Sequence, residues 1–166
     1  MSLQNLDRGR MPANAEGASR EAIEAIIEST PFASLLGARI IEFSSGKVAL
    51  LVPINGRLLQ HHRFVHGAVV GFVADSACAW AAASRVGDVV TSEYKLNFLA
   101  PAGGTNLIGR GEVIKISGRQ VVCRADIFAE KDGAERLVAT ALGTIARFER
   151  RSEAVRGTGC KETDRR

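Results

Sequence analysis

The longest stretch of the chain without polar alternation lies in its middle. Gly67 to Ala83 carries one charge, Asp75, among residues that are mostly Ala, Val, Gly, Ser and Cys. A run of that length falls at the short end of what crosses a bilayer, but its small residues and mid-span acid predict the buried helix of a soluble fold. Burial on every side also explains why apolar residues occur all round it. The helix is predicted from His66 to about Arg85.

On either side the period changes. Ser19 is placed to cap SREAIEAIIES, with Ile23, Ile26 and Ile27 on one face, and Thr30-Pro31 starts a second helical turn, PFASLLG, ending at Gly37. ARIIEF and KVALLVPI, separated by SSG, have the chemistry of a hairpin. Asn55 to Val65, NGRLLQHHRFV, has no clean period and is predicted to be a loop. Beyond Gly87 the pattern is all strand: VVTSEYKLNFLA alternates Tyr94, Leu96 and Phe98 against Glu93, Lys95 and Asn97. PAGG turns the chain, and LIGRGEVIKIS, QVVCRADIFAE and RLVATALGTIARFE, joined at SGRQ and KDG, complete a predicted antiparallel meander. Gly109, Gly111 and Gly143 are expected to mark bulges or strong curvature in it. The order read is helix, hairpin, long buried helix and then long strands to the end of the body, which is α+β: a long antiparallel sheet wrapped around one central buried helix. The domains expected are a polar leader over 1–18, a single domain over 19–149 and a polar basic tail, disordered, over 150–166.

Charge narrows the function classes. The net charge is +4, but Arg150 to Arg166 carries six Lys/Arg against three acids, so the body is close to neutral. That distribution argues against a nucleic-acid surface. Cys78, Cys123 and Cys160 are far apart and form no CxxC, so neither a disulfide framework nor a zinc site is expected. The N-terminus lacks the apolar run of a signal peptide, and a cytoplasmic location is expected. Neither GxSxG, GxGxxG nor a lysine after a phosphate-binding glycine loop occurs.

One group of residues has a specific spacing. HGAVVGFVADSA, with the acid nine residues after the histidine, is similar to the HGG-x6-D-x-A pattern of PaaI-like hotdog thioesterases. TSEYKLNFLAPA resembles that family's strand and following turn, and SGRQVV the turn before its next strand, so the likeness covers roughly residues 35–148. The resemblance implies the hotdog fold and hydrolysis of an acyl thioester, usually of coenzyme A. It also implies a site between two subunits of a homodimer or homotetramer, with no bound cofactor. By the same resemblance Gln60 stands where relatives carry an Asn or Gln that holds the thioester carbonyl, and His66 is the motif histidine. Thr91 stands where a Ser or Thr orients the attacking water, and Pro101, Ala102, Gly118 and Arg119 fall in turns along the coenzyme A path. Arg119 there offers a fork of donors to a phosphate. Two departures bear on the pocket: Ala68 replaces the family's second glycine, and HHRFV replaces a smaller, glycine-containing segment.

The chemistry of these residues has its own logic. Gly67 opens the long helix, so its N–H is an unsatisfied donor at the positive end of the helix dipole and can polarise a carbonyl. Asp75 lies eight residues on, about 12 Å along the helix, and cannot reach a carbonyl held at its own Gly67. If both groups act, a second chain packed antiparallel must supply one of them. Asp75 then either attacks the thioester carbon or deprotonates the water that does. The alternative is an acid satisfied structurally by Ser76, Thr91 or backbone donors. His62 and His66 have a metal-compatible spacing, but HHRFVH lacks the Glu of HExxH and a third ligand, so no metal is expected. Two other readings keep the fold: a dehydratase or hydratase of acyl thioesters, and an acyl-CoA-binding module without catalysis.

Overall fold

The computed structural model describes residues 17–148. The expected tail, and the leader apart from Gly17 and Ala18, lie outside the described residues. Helix α1, Arg20–Ser29, starts where Ser19 Oγ accepts the Ala22 N–H at 3.2 Å, and it buries Ile23 and Ile27. Ile26, expected on the same face, is instead about half exposed at the border. Pro31 opens the short α2, Pro31–Leu35. Strands β1, Arg39–Ser44, and β2, Lys47–Pro53, form the predicted hairpin. The expected loop is more ordered than its sequence implies: a 3-10 turn spans Gly56–Leu58, and a Leu59–Val65 bridge closes the segment after it. Helix α3 runs Gly67–Val86, and His66 caps it by accepting the Ala68 N–H at Nδ1.

Each of the four runs read as strand after the helix forms one: β3 (Val89–Phe98), β4 (Asn106–Ser117), β5 (Gln120–Lys131) and β6 (Ala134–Arg147). The sheet order is β1-β2-β4-β5-β6-β3, so the predicted meander holds only for β4, β5 and β6. Strand β3 lies at the far edge on β6, and PAGG belongs to a crossover rather than a hairpin. The crossover is tied to the end of the sheet: Leu99 N–H donates to Val138, Thr105 N–H to Glu130 and Val65 N–H to Ala102, each at 2.8 Å. Alternation along a strand reports its two faces but not its neighbour, which is why the pairing is not legible in the sequence.

The topology places β4 in the interior of the sheet, under α3. A Cβ at Gly109 would stand 2.6 Å from Val73 Cγ1, and one at Gly111 would stand 2.0 Å from the Ala77 carbonyl oxygen. Neither glycine marks a bulge: Gly109 pairs regularly with Leu50 and Ile127, and Gly111 with Val48 and Ala125. The register shifts fall elsewhere, between Ile40 and Glu42, Thr91 and Glu93, Val113 and Lys115, and Ile127 and Phe128. Gly143 is also in regular register, opposite Cys123 and Tyr94. Gly109 and Gly111 admit the helix backbone to the sheet, a close approach that only a missing side chain permits.

Around this contact the inner row of the sheet is closed, with Leu50, Leu107, Val121, Cys123, Ile127 and Ile145 fully buried. Ser84 Oγ accepts the Gly46 N–H at 2.8 Å and donates to the Ala81 carbonyl at 2.7 Å, tying the β1–β2 turn to the end of the helix. By length and composition α3 could cross a membrane, yet 67% of its apolar window is buried inside the protein, as the core-helix reading expects.

Gly111→Ala tests this contact by sign. Gly→Ala at a relaxed site stabilises by about 0.4–1 kcal/mol, whereas forcing a methyl against the Ala77 backbone destabilises by about 3 kcal/mol. Urea unfolding should therefore show a clearly lower midpoint; an unchanged or higher one contradicts the packing.

Candidate functional site

The helix N-terminus is built by the loop before it. Its N–H donors are used in turn: that of Ala68 by His66 Nδ1 at 3.1 Å, that of Val69 by the His66 carbonyl at 2.9 Å. The Gly67 N–H has no partner among the described residues, so it is left as a donor at the positive end of the dipole. A Cβ on Gly67 would stand 3.2 Å from Phe98 Cζ, so its lack of a side chain also keeps the approach open. Gln60 Oε1 accepts the His62 N–H, which fixes the amide and leaves its NH2 group as the donor.

These groups share a cavity of about 490 Å³ in which Gln60, Gly67, Pro101 and Ala102 meet Phe64 and Phe98, with no charged side chain among the described residues of its walls. Phe64 comes from the segment in which the sequence departs from the family pattern. Sequence reasoning does not find it as a wall of the cavity, and the larger HHRFV is the one signal that could have. Ala68 lies exposed beside the cavity, and the His66 ring, spent on the cap, is also exposed. A second hollow, about 440 Å³ on the outer face of the sheet, is lined by charges that pair with one another, as in Arg110–Glu135 at 2.6 Å and Lys47–Glu112 at 2.9 Å. It contains none of the expected residues.

Asp75 lies elsewhere, two turns along α3. Thr91 Oγ1 donates to Asp75 Oδ1 at 2.7 Å, and Oδ2 has no partner among the described residues. The pair is half-buried against the inner face of β3. Gly118 and Arg119 form the β4–β5 turn, where the Arg119 carbonyl accepts the Arg147 N–H at 2.9 Å. From that turn to the other end of β4, nearest Ala102, is about 36 Å of strand. The expected residues thus fall into two groups within one chain: Gln60, His66, Gly67, Ala68, Pro101 and Ala102 at one end of the helix, and Asp75 with Thr91, then Gly118 and Arg119, toward the other.

Cys78, three residues from Asp75, is no alternative nucleophile. Burial pushes its thiol up to about 12, with the negative charges of Cys123 and Asp75 acting in the same direction, and burial does the same to Cys123. No group of three or more His, Cys, Asp and Glu that could hold a metal occurs among the described residues.

Residues 62–135 match the family model described as the thioesterase superfamily. The structure of a thioesterase family protein from Silicibacter pomeroyi is 38% identical and similar over 75% of this chain and 93% of that one, with TM-score 0.72. A PaaI mutant protein from Thermus thermophilus is 26% identical over 71% and 99%, with TM-score 0.63. The E. coli PaaI protein of the phenylacetic acid degradation operon shares the fold at 23% identity over 78% and 92%, with TM-score 0.70. No curated protein matches the chain significantly by sequence.

Raised thiol pKa values predict that Cys78 and Cys123 resist a thiol reagent. In a Cys160→Ser variant at pH 8 the folded protein should release essentially no signal and the unfolded protein two equivalents; fast native reaction would contradict the burial. The same shifts make stability depend on pH. An unfolded thiol ionises near about pH 8.5, the folded thiols near about 12, so their contribution is full below about pH 8.5 and declines as pH rises toward about 12.

Proposed function

The chain belongs to the thioesterase superfamily, and we propose that it hydrolyses an acyl-coenzyme A thioester and that two copies of the chain complete each site. The supporting observation is the Thr91–Asp75 bond on an uncovered strand edge, at the opposite end from Gly67.

The edge itself favours pairing. At the β1 side, Arg20 reaches the Ile40 carbonyl at 3.2 Å and α1 covers the strand. Among the described residues strand β3 has no such cover over its ten residues, and Val90, Tyr94 and Phe98 stand 47%, 39% and 60% exposed. A long bare edge with apolar side chains calls for a partner. Helix and strand run past each other in order: Gly67 meets Phe98, Gly71 meets Tyr94 and Asp75 meets Thr91. If two β3 edges pair antiparallel about a two-fold near Tyr94 and Lys95, Phe98 and Gly67 of one chain face Thr91 and Asp75 of the other. The same reversal carries Gly118 and Arg119 of the second copy toward Pro101 and Ala102.

In this arrangement the acyl group enters the uncharged cavity and its carbonyl oxygen accepts from the Gly67 N–H and the Gln60 amide. The opposite chain's Asp75, steadied by Thr91, either takes a proton from the attacking water or attacks the carbon itself. The tetrahedral intermediate collapses with cleavage of the C–S bond, and coenzyme A leaves as thiolate and takes up a proton; where Asp75 is itself the attacking group, water then cleaves the mixed anhydride left on it, releasing the acid and restoring the carboxylate. His66, held by its own helix cap, is poorly placed to move a proton beside the carbonyl, which favours hydrolysis over dehydration.

A panel of short, long, branched and aromatic acyl-CoAs should show turnover, and Asp75→Asn should lower kcat on the best substrate by roughly a hundredfold or more with the dimer mass unchanged. Full activity of Asp75→Asn, or no turnover of any acyl-CoA, would sink the reading.

A further inference from the structure

We infer that the loop tip His61-His62-Arg63 recognises the phosphate groups of the coenzyme A thioester; the inference rests on the acyl-CoA reading above. Three observations carry it. The first is charge and place. From Asn55 to Gly67 the chain has two Arg, three His and no acid. The tip projects between Gln60 and Phe64, both of which line the cavity beside Gly67. His61, His62 and Arg63 are all exposed and have no carboxylate partner among the described residues, whereas Lys47, Arg110 and Arg124 on the outer face each meet one.

The second is rigidity. Gln60 N–H donates to the Phe64 carbonyl, Arg63 N–H to Gln60 and His66 N–H to Leu58, each at 2.8 Å. The two imidazole rings lie 3.9 Å apart. Their donors and the Arg63 fork are therefore presented on a fixed turn rather than a wandering loop, which lowers the ordering cost of binding.

The third is strain. Arg63 has φ +67°, a left-handed conformation that glycine adopts freely and a long side chain adopts only at a cost. Its side chain makes no hydrogen bond or ion pair in return among the described residues. An unfavourable backbone angle kept by a side chain that contributes nothing visible to the fold points to work done on a ligand. The cavity fits the apolar acyl end of the substrate, so a polyanion at the rim fits the other end. An acidic carrier protein offers carboxylates over a wide surface instead, and a three-residue tip matches a compact phosphate cluster better.

Binding measured by calorimetry separates the possibilities without requiring turnover. Wild type should bind coenzyme A more tightly than dephospho-coenzyme A, and that more tightly than pantetheine. Arg63→Gly should shift the unfolding midpoint upward by relieving strain while weakening coenzyme A about tenfold. The preference for coenzyme A over pantetheine should shrink accordingly, and adding His61→Gln and His62→Gln should shrink it further. An unchanged preference in Arg63→Gly, no preference in the wild type, or Arg63-dependent use of an acyl carrier protein without a phosphate preference overturns the inference. Active hydrolysis with an unchanged preference would remove this inference and leave the thioesterase reading. The predicted preference without any hydrolysis would do the reverse.

Discussion

The backbone of α3 rests almost directly on β4, and the rest of the structure depends on that contact. With hydrogen in place of a side chain at Gly109 and Gly111, the Val73 and Ala77 turns of the helix settle into the sheet. The small residues Ala74, Ala77, Ala81 and Ala82 then pack with no exposure at all. A helix held this low fixes the height and direction of everything it carries. Its first N–H emerges beside Phe98, and its carboxylate two turns on emerges beside Thr91.

The same placement leaves the molecule half finished on one side. Five strands and the N-terminal helices enclose the inner face toward β1, while β3, beyond β6, exposes both its backbone edge and its apolar inner residues. The Gly67 N–H and the Asp75 carboxylate lie on that open side, two turns of helix apart. A shared site, as proposed, joins two separate deficits, a bare edge and a divided catalytic set, in one two-fold arrangement. Local strain at Arg63 belongs to the same economy, since the loop that bears it also orients Gln60 and supplies Phe64 to the cavity.

Much of this is legible in the chain because the controlling signals are local. His66 at the cap, the apolar run after it and Gly87 with its positive φ set the limits of α3 to within a residue or so. The spacing of Gly67 and Asp75 already requires two chains if both act. The features that the sequence hides depend on pairing at a distance. The alternation of VVTSEYKLNF is the same whether its neighbour is β4 or β6, so β3 reads as part of the meander. Gly109 and Gly111 look like bulge residues because a glycine in a strand has two uses, bending the strand or admitting another backbone. Only the helix position distinguishes them. Phe64 escapes detection as a wall of the cavity because the closed loop from Leu59 to Val65 depends on backbone bonds without periodic pattern.

The two-chain site is tested most directly by combining two damaged variants. Gly67→Val keeps the backbone N–H but blocks the approach to it, since even a Cβ there would stand 3.2 Å from Phe98 Cζ, and Asp75→Asn removes the acid, so each homodimer lacks both of its sites. A mixed dimer regains one intact site, with Gly67 from one chain and Asp75 from the other. Co-expression at equal levels should restore about a quarter of wild-type acyl-CoA hydrolysis if chains pair at random. Activity no greater than the sum of the two variants, in preparations shown to contain the mixed dimer, would contradict a site shared between chains.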